Sequence, residues 1–397
     1  MNALLLAVYS TSAVLQSYDV VLLGAGPAGT AGALALRGAG LRVALVDKAR
    51  FPRDKICGDA IPGPALKALR RLDPAYVEEL LAGLHPKAET RDSRVVAPGG
   101  GSLGVRWHLP TFNSPRRHFD AALLDLVKRH TSTEIIEGFA AKDLAVAADA
   151  VTLTAADGQQ LRARLLIACD GANSVAARQL AHRRLDRAHH CAAVRAYYTG
   201  VADADGRTTE FFFLKKYPAG YLWVFPVGEG VSNVGFGMLS KDIAAQQLDL
   251  KETLLELLAT HPELAARFAG ARALGPVVGF GLPLGTGQVA HALAGPRWLL
   301  CGDAASLIDP LQGHGIDTAV QSGILAAAQA VACFEQQDFS GAFLQQYARA
   351  VQAELGPKLA RSYRIMRFLG NKPWLVNAGV RLAQVPLARR WLQQLVG

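Results

Sequence analysis

A glycine-rich run, Gly24-Ala25-Gly26-Pro27-Ala28-Gly29, constrains the first fifty residues of this chain more tightly than any other feature. Before it lies Asp19 to Leu23, almost wholly apolar, as a parallel strand buried on both faces requires. After it comes an alanine-rich segment, Gly29 to Gly38, whose small side chains suit a helix packed closely on a sheet. Gly40 stops that helix, and Arg42 to Val46 reads as a second strand. The unit is β-α-β. Bare backbone at Gly24, Gly26 and Gly29 lets a pyrophosphate approach the positive end of the helix, with Pro27 and Ala28 inside the motif. Asp47 closes the second strand about twenty residues on, where a carboxylate accepts hydrogen bonds from the ribose hydroxyls of an adenosine. This much predicts a bound dinucleotide, either NAD or FAD.

A length of 397 residues leaves room for a second domain. With 51% hydrophobic and 19% charged residues, the composition excludes a mainly disordered or fibrous chain. The net charge of +9 is compatible with nucleic acid, an anionic membrane or an anionic ligand. Lys and Arg are spread along the chain without zinc-finger spacing or an aromatic-studded basic motif, so no nucleic-acid partner is expected. Five separated cysteines, never in a CxxC pair, fit free thiols in a reducing, cytoplasmic compartment and no metal site. Met1 to Gln16 lacks a basic region ahead of its apolar residues and reads as a short extension, with a signal peptide as the alternative. No run suggests a membrane-spanning helix.

Further along, helices are expected at Ala65 to Leu72, Phe119 to His130, Leu250 to Leu257 and Asp317 to Phe334. Strands are expected at Glu134 to Ile136, in a hairpin-like pair (Ala145 to Thr154 with Gln160 to Arg164), at Leu165 to Ala168 and at Trp298 to Cys301. Gly279 to Gly287 reads as a loop. Ala192 to Met238, with Phe211-Phe212-Phe213 and Tyr221 to Phe225, reads as an antiparallel sheet. The fold class is α/β: a Rossmann-like dinucleotide-binding domain (18–75, 112–180 and 276–335) interleaved with an antiparallel β-sheet substrate domain (76–111 and 181–275). A C-terminal helical segment (336–397) follows.

Two later segments decide between the dinucleotides. Asp170-Gly171-Ala172-Asn173-Ser174-Val175-Ala176-Ala177-Arg178 follows a buried strand and fits DGxxSxxR, and Gly302-Asp303-Ala304-Ala305 is followed by Asp309-Pro310 and Gly313-His314-Gly315. With the glycine loop, these make the chain resemble the flavoprotein superfamily of aromatic hydroxylases, flavin halogenases and geranylgeranyl reductases. The resemblance implies FAD. It also implies that Asp303 bonds the ribityl chain and pyrophosphate, that backbone N–H groups near Gly315 and Ile316 face the isoalloxazine, and that Arg116 reaches the cofactor.

Within that superfamily, Phe51-Pro52-Arg53-Asp54-Lys55-Ile56-Cys57-Gly58-Asp59 resembles the Cys-Gly loop of geranylgeranyl reductases, and Pro218-Ala219-Gly220-Tyr221-Leu222-Trp223-Val224-Phe225-Pro226 resembles their YxWxFP motif. The implied cofactor residues are Gly24, Gly26, Pro27, Ala28, Gly29, Asp47, Lys48, Arg53, Cys57, Gly58, Arg116, Asp170, Gly171, Ser174, Arg178, Gly302, Asp303, Pro310, Gly313, His314, Gly315 and Ile316. Strand alternation puts Tyr221, Trp223 and Phe225 on one face, an aromatic wall for an apolar chain. Cys57 is the candidate proton donor, with Tyr221 as its alternative and Trp223 beside it. The expected activity is reduction of isolated double bonds in a polyprenyl lipid, with FAD-dependent oxygenation or halogenation of a small molecule as the alternative. NAD(P)H would visit transiently, since no second GxGxxG follows a strand. Two departures from the family pattern, Asp59 after Cys57-Gly58 and His314 in the glycine pair, adjoin the expected flavin site. The C-terminal segment mixes Arg364, Arg367, Lys372, Arg381, Arg389 and Arg390 with Phe368, Trp374 and Trp391, which suits a helical cap or a peripheral membrane contact.

Overall fold

The computed structural model describes residues 16–107, 111–218, 220–288, 291–370 and 372–382; residues 1–15 of the expected extension, Ala219, Arg389, Arg390 and Trp391 lie outside the described residues, while Gln16 already belongs to the first strand. The first sheet has a parallel heart in the order Trp298–Leu300, Gln160–Ala168, Gln16–Leu23, Val43–Asp47, Glu134–Glu137. Val20 to Leu22 and Ala44 to Val46 are fully buried, because helices cover one face and loops and strands the other. The strands that carry the glycine loop are therefore packed on both faces.

Gln160–Ala168 is one continuous strand, where the sequence suggested a hairpin arm ending at Arg164 and a separate strand. Its first half pairs antiparallel with Val151–Ala155, and its second half pairs parallel with Trp298–Leu300. Arg164 sits mid-strand with its guanidinium over Phe334 at 4.7 Å, so the charge that seemed to break the strand is carried on an aromatic face.

Helix Pro27–Ala35 packs backbone to backbone on the long helix Ile316–Gln336, and a Cβ on Gly323 would overlap the carbonyl of Ala28. Only small residues permit this approach. The 21-residue helix is long and apolar enough to cross a membrane, yet 67% of its apolar window is buried as the core helix of this layer.

The second sheet runs Arg272–Ala273, His190–Thr199, Val231–Leu239, Gly220–Gly228, Thr208–Phe213, Asp92–Val96, Ser102–Arg106, and all its neighbours are antiparallel except Thr208–Phe213 with Asp92–Val96. One face buries Val194, Phe212, Leu222, Val234 and Phe236 beneath helices Leu250–Thr260 and Pro262–Phe268. The other turns toward the dinucleotide domain.

Two segments sit on the other side of the expected domain boundaries. Val278–Pro283, read as the start of a loop and assigned to the dinucleotide domain, is a strand paired with His190–Arg195 of the second sheet. Its glycines serve close packing rather than turning: a Cβ on Gly281 would lie 2.6 Å from the His190 ring. Helix Pro74–Gly83, assigned beyond residue 75 to the substrate domain, buries Tyr76, Val77 and Leu80 in the core of the first. Three further helices, Gly341–Glu354, Gly356–Leu369 and Pro373–Leu382, are the last elements of the described residues.

Candidate active site

The facing surfaces of the two sheets enclose a cavity of about 1730 Å³. That exceeds the range of about 300–1,000 Å³ typical of a single ligand, so there is room for two occupants side by side. One end is polar and belongs to the first domain. Gly24 has φ +108° and donates its N–H to the Val46 carbonyl at 2.6 Å, which folds the loop tightly against the second strand. Gly26, Pro27 and Ala28 open into the cavity. Asp47 stands at the end of its strand, one carboxylate oxygen accepting from Ala25 N and the other from Ala49 N, both at 2.9 Å. Lys48 lines the same end.

Gly29 does not reach the cavity. A Cβ there would overlap the Gly24 carbonyl, so its role is to let strand and helix meet. Ser174 is likewise a fully buried helix cap that accepts from Ala177 N at 2.8 Å. Asp170 caps the same short helix, accepting from Ser174 Oγ at 2.5 Å and Val175 N at 2.7 Å, while Gly171 and Arg178 border the cavity beside it. Arg183, which sequence reasoning passed over, donates to the carbonyls of Ala172, Asp303 and Ala304 and so ties the second flavin segment to the third.

The third segment forms the floor between the two ends. Gly302, Asp303, Pro310, Gly313, His314, Gly315 and Ile316 all line the cavity, with the long helix opening at Gly315. Asp309, fully buried, holds this loop by accepting from Leu311 N, Gln312 N and Ser362 Oγ. Asp303 pairs with Lys55 at 3.2 Å. His314 is held between Asp317 and Gln312 at 2.9 and 2.6 Å.

The residues present fit FAD. Two helix N-termini and the carboxylates of Asp47, Asp170 and Asp303 converge on one elongated cleft, and a Cβ on Gly26 would meet nothing nearer than Arg53 at 3.8 Å.

Arg53 and Arg116 both line the cavity and are held there by a carboxylate that the sequence reading did not single out. Asp120, fully buried, accepts two bonds from Arg116 at 2.7 and 2.8 Å and one from Arg53 at 2.6 Å. Burial works against both ions, but the pairing wins, holding Asp120 below the usual carboxylate range and Arg116 above its ordinary value. Cys57 lies against the Arg116 guanidinium and adds to that upward shift.

The other end of the cavity is apolar. Tyr221, Trp223 and Phe225 share one face of Gly220–Gly228 as alternation predicts, with ring centroids 5.9 and 6.2 Å apart, and Phe211 and Phe213 extend the wall. The wall has room because a Cβ on Gly235, in the neighbouring strand, would overlap the Trp223 ring. The Cys57 loop rests on this wall: a Cβ on Gly58 would lie 3.2 Å from Phe225 and 3.6 Å from Trp223 Nε1. Tyr221 donates to the Gln312 carbonyl at 3.1 Å, which joins the wall to the glycine-pair loop, and burial pushes its phenol above its ordinary range.

Residues 190–270, the centre of the second sheet, match the geranylgeranyl reductase catalytic domain. The chain is 34% identical over 326 residues to menaquinone reductase of Mycobacterium tuberculosis, covering 79% of this chain and 76% of that one. It is 31% identical over 354 residues to digeranylgeranylglycerophospholipid reductase 2 of Methanopyrus kandleri, covering 86% and 84%. The chain belongs to the geranylgeranyl reductase family. A crystal structure of a geranylgeranyl bacteriochlorophyll reductase-like protein from Thermoplasma acidophilum superposes with a TM-score of 0.81 over 94% of this chain and 92% of that one, at 24% identity.

Family membership makes the chain an FAD-dependent oxidoreductase, a class that includes reductases and, among its structural neighbours, flavin-dependent halogenases. Asn233, Tyr197 and Arg195, all within the matched segment, bind the underside of the Cys57 loop and were not foreseen. The signal for this strand pair was present: the alternating glycines of Asn233-Val234-Gly235-Phe236-Gly237 mark a surface where something packs closely.

Proposed function

We propose that this reductase saturates isolated carbon–carbon double bonds in the polyprenyl part of a lipid. The observation that carries the reading is the apolar end of the cavity, where five aromatic side chains form a wall directly against the Cys57 loop and the glycine-pair loop. An unfunctionalised prenyl chain offers nothing to hydrogen-bond, so a dry aromatic surface is the chemistry that holds it.

Asp47 and the glycine loop would hold the adenosine and pyrophosphate of FAD, Asp303 and the Gly313–Ile316 turn the flavin end. When bound, FAD supplies the reducing equivalents for the double bond, and NAD(P)H is the proposed transient donor. The protein's own part is to exclude water, align the alkene along Tyr221 and Trp223, and give a proton from Cys57 Sγ to the carbon left electron-rich.

The same reading gives the C-terminal helices a role. Met366, Leu369, Leu375 and Val380 line the cavity, while Phe368, Trp374 and Leu382 are 57–63% exposed beside Arg364, Arg367 and Arg381. This pair would rest on an anionic membrane surface and pass the lipid inward.

The direct test incubates dithionite-reduced holoenzyme anaerobically with a geranylgeranyl lipid and looks by mass spectrometry for products heavier by one hydrogen pair. An unchanged lipid, together with oxygen-dependent hydroxylation of a small molecule, would replace this reading with the monooxygenase one.

A further inference from the structure

Asp59 follows Cys57-Gly58 directly and is fully buried, with φ +67°, a left-handed backbone that glycine adopts without strain and other residues seldom do. Its carboxylate accounts for its presence. One oxygen accepts from the backbone N–H of Arg116 at 3.2 Å; the other accepts from Tyr197 OH at 2.7 Å and Asn233 Nδ2 at 2.8 Å.

Asn233 is the hub. The same Nδ2 donates to the Cys57 carbonyl at 2.7 Å, and its Oδ1 accepts from Trp223 Nε1 at 2.9 Å. Asp59 therefore orients one amide that holds both the loop carrying Cys57 and the ring on which substrate would lie. Behind it, Arg195 lies over the Tyr197 ring at 4.3 Å and donates to the half-exposed Asp54 at 2.5 Å.

Every group facing the carboxylate is a donor. A proton on the first oxygen would oppose the Arg116 N–H, and a proton on the second would oppose Asn233 unless Tyr197 turned its hydroxyl round. All three groups donate to it at once only while Asp59 is ionised; protonation reverses the Tyr197 hydroxyl and disturbs the contact with Asn233.

We propose that Asp59 is the positioning residue of this active site: its carboxylate sets Asn233, and through it the Cys57 loop and the Trp223 indole, so that protonating it loosens the reacting end of the cavity. Burial favours the protonated form against the opposing bonds from Tyr197 and Asn233, the charge of Arg195 and the Arg116 N–H, and raises the pKa to about 6. The charged and titratable groups around it are Arg195 and Tyr197 on strand His190–Thr199, Arg116 on its helix, and Cys57 and Asp54 on its own loop.

The inference rests on the reductase reading for its purpose, but its test needs no substrate. In flavin-loaded protein labelled with ¹⁵N at tryptophan, the Trp223 indole signal, assigned with Trp223→Phe, is expected to titrate with a midpoint near pH 6. In Asp59→Asn and Asn233→Ala it should stay flat. The turnover profile of the wild type should fall on the same acid limb, a limb lost in Asp59→Asn. A Trp223 signal that stays constant from mildly acid to neutral pH in the wild type overturns the proposal without any variant having to fold. One that titrates identically in Asp59→Asn does so as well. Failure to reduce a prenyl lipid, with the titration intact, would overturn only the substrate reading.

Discussion

Two glycines of the dinucleotide loop look alike in sequence and should behave oppositely when each is replaced by alanine. Gly26 has φ −80° and ψ −173°, an extended conformation open to alanine, and its new Cβ would touch only Arg53 at 3.8 Å. The apoprotein should keep its stability or gain about 0.4–1 kcal/mol from the stiffer unfolded chain. The methyl would instead fill the cradle in which a pyrophosphate meets bare backbone. Overpacking of that kind costs about 1–3 kcal/mol, which weakens FAD roughly 5- to 150-fold. Gly29→Ala puts the methyl onto the Gly24 carbonyl and 3.1 Å from Leu45, and Gly24 cannot retreat because its N–H is fixed to Val46 and its other side abuts the Cys169 carbonyl. Apoprotein stability should then fall by about 3 kcal/mol or more, with FAD lost as a consequence. Thermal unfolding of the apoproteins and reconstitution followed by quenching of flavin fluorescence separate the two effects. Wild-type FAD affinity in Gly26→Ala would refute the path assigned to the pyrophosphate.

Replacing Cys57 by alanine should slow single-turnover product formation of the FAD-saturated enzyme by about a hundredfold or more, the usual worth of a positioned proton donor; a wild-type rate would transfer that role to Tyr221. Asp317, buried at the start of the long helix, is held well below the usual carboxylate range by His314 and by Lys358 at 2.7 Å, which outweigh its burial. Its folded pKa is depressed, so its stabilisation is present above the unfolded value of about 3.9 and lost as pH falls through the folded one. Asp317→Asn should therefore unfold at a lower temperature than the wild type at neutral pH, by about 1–3 kcal/mol after allowing for the exposure of Lys358, and the gap should close in acid. Serine at Phe368, Trp374 and Leu382 together should reduce sedimentation with phosphatidylglycerol vesicles at least about tenfold while leaving FAD binding intact; equal sedimentation would return these helices to the role of a plain cap.

The legible part of the fold was the part written in local pattern. Strand, glycine turn, helix and Asp47 form a contiguous unit whose geometry follows from neighbours in sequence, and alternation along Gly220–Gly228 placed Tyr221, Trp223 and Phe225 together. What stayed hidden depends on partners far apart. Val278–Pro283 reads as a loop because its glycines look like turns, and only pairing with His190–Arg195 makes them strand residues. Arg116 was visible but Asp120 was not, because a buried ion pair carries no periodicity. Asp59 stood out only as a departure from a family pattern; its meaning needed Tyr197 and Asn233, each more than a hundred residues away.

Residues 48–59 show how these distant partners make one site. The stretch between strand Val43–Asp47 and Ala60 has neither helix nor strand, so no internal ladder gives it shape. Each anchor comes from a different element: Phe51 N donates to Glu137, Arg53 to Asp120, Lys55 to Asp303, and Arg195 to Asp54, while Cys57 O accepts from Asn233. Two of those anchors belong to the second sheet and the others to the first domain. A segment fixed in this way holds its conformation only while both domains are in contact, and it carries Cys57 and Gly58 onto the aromatic wall. The same dependence makes it sensitive to a single charge. Loss of the Asp59 carboxylate releases the anchor at Cys57 and leaves the Rossmann-like sheet, with Gly24 and Asp47, intact.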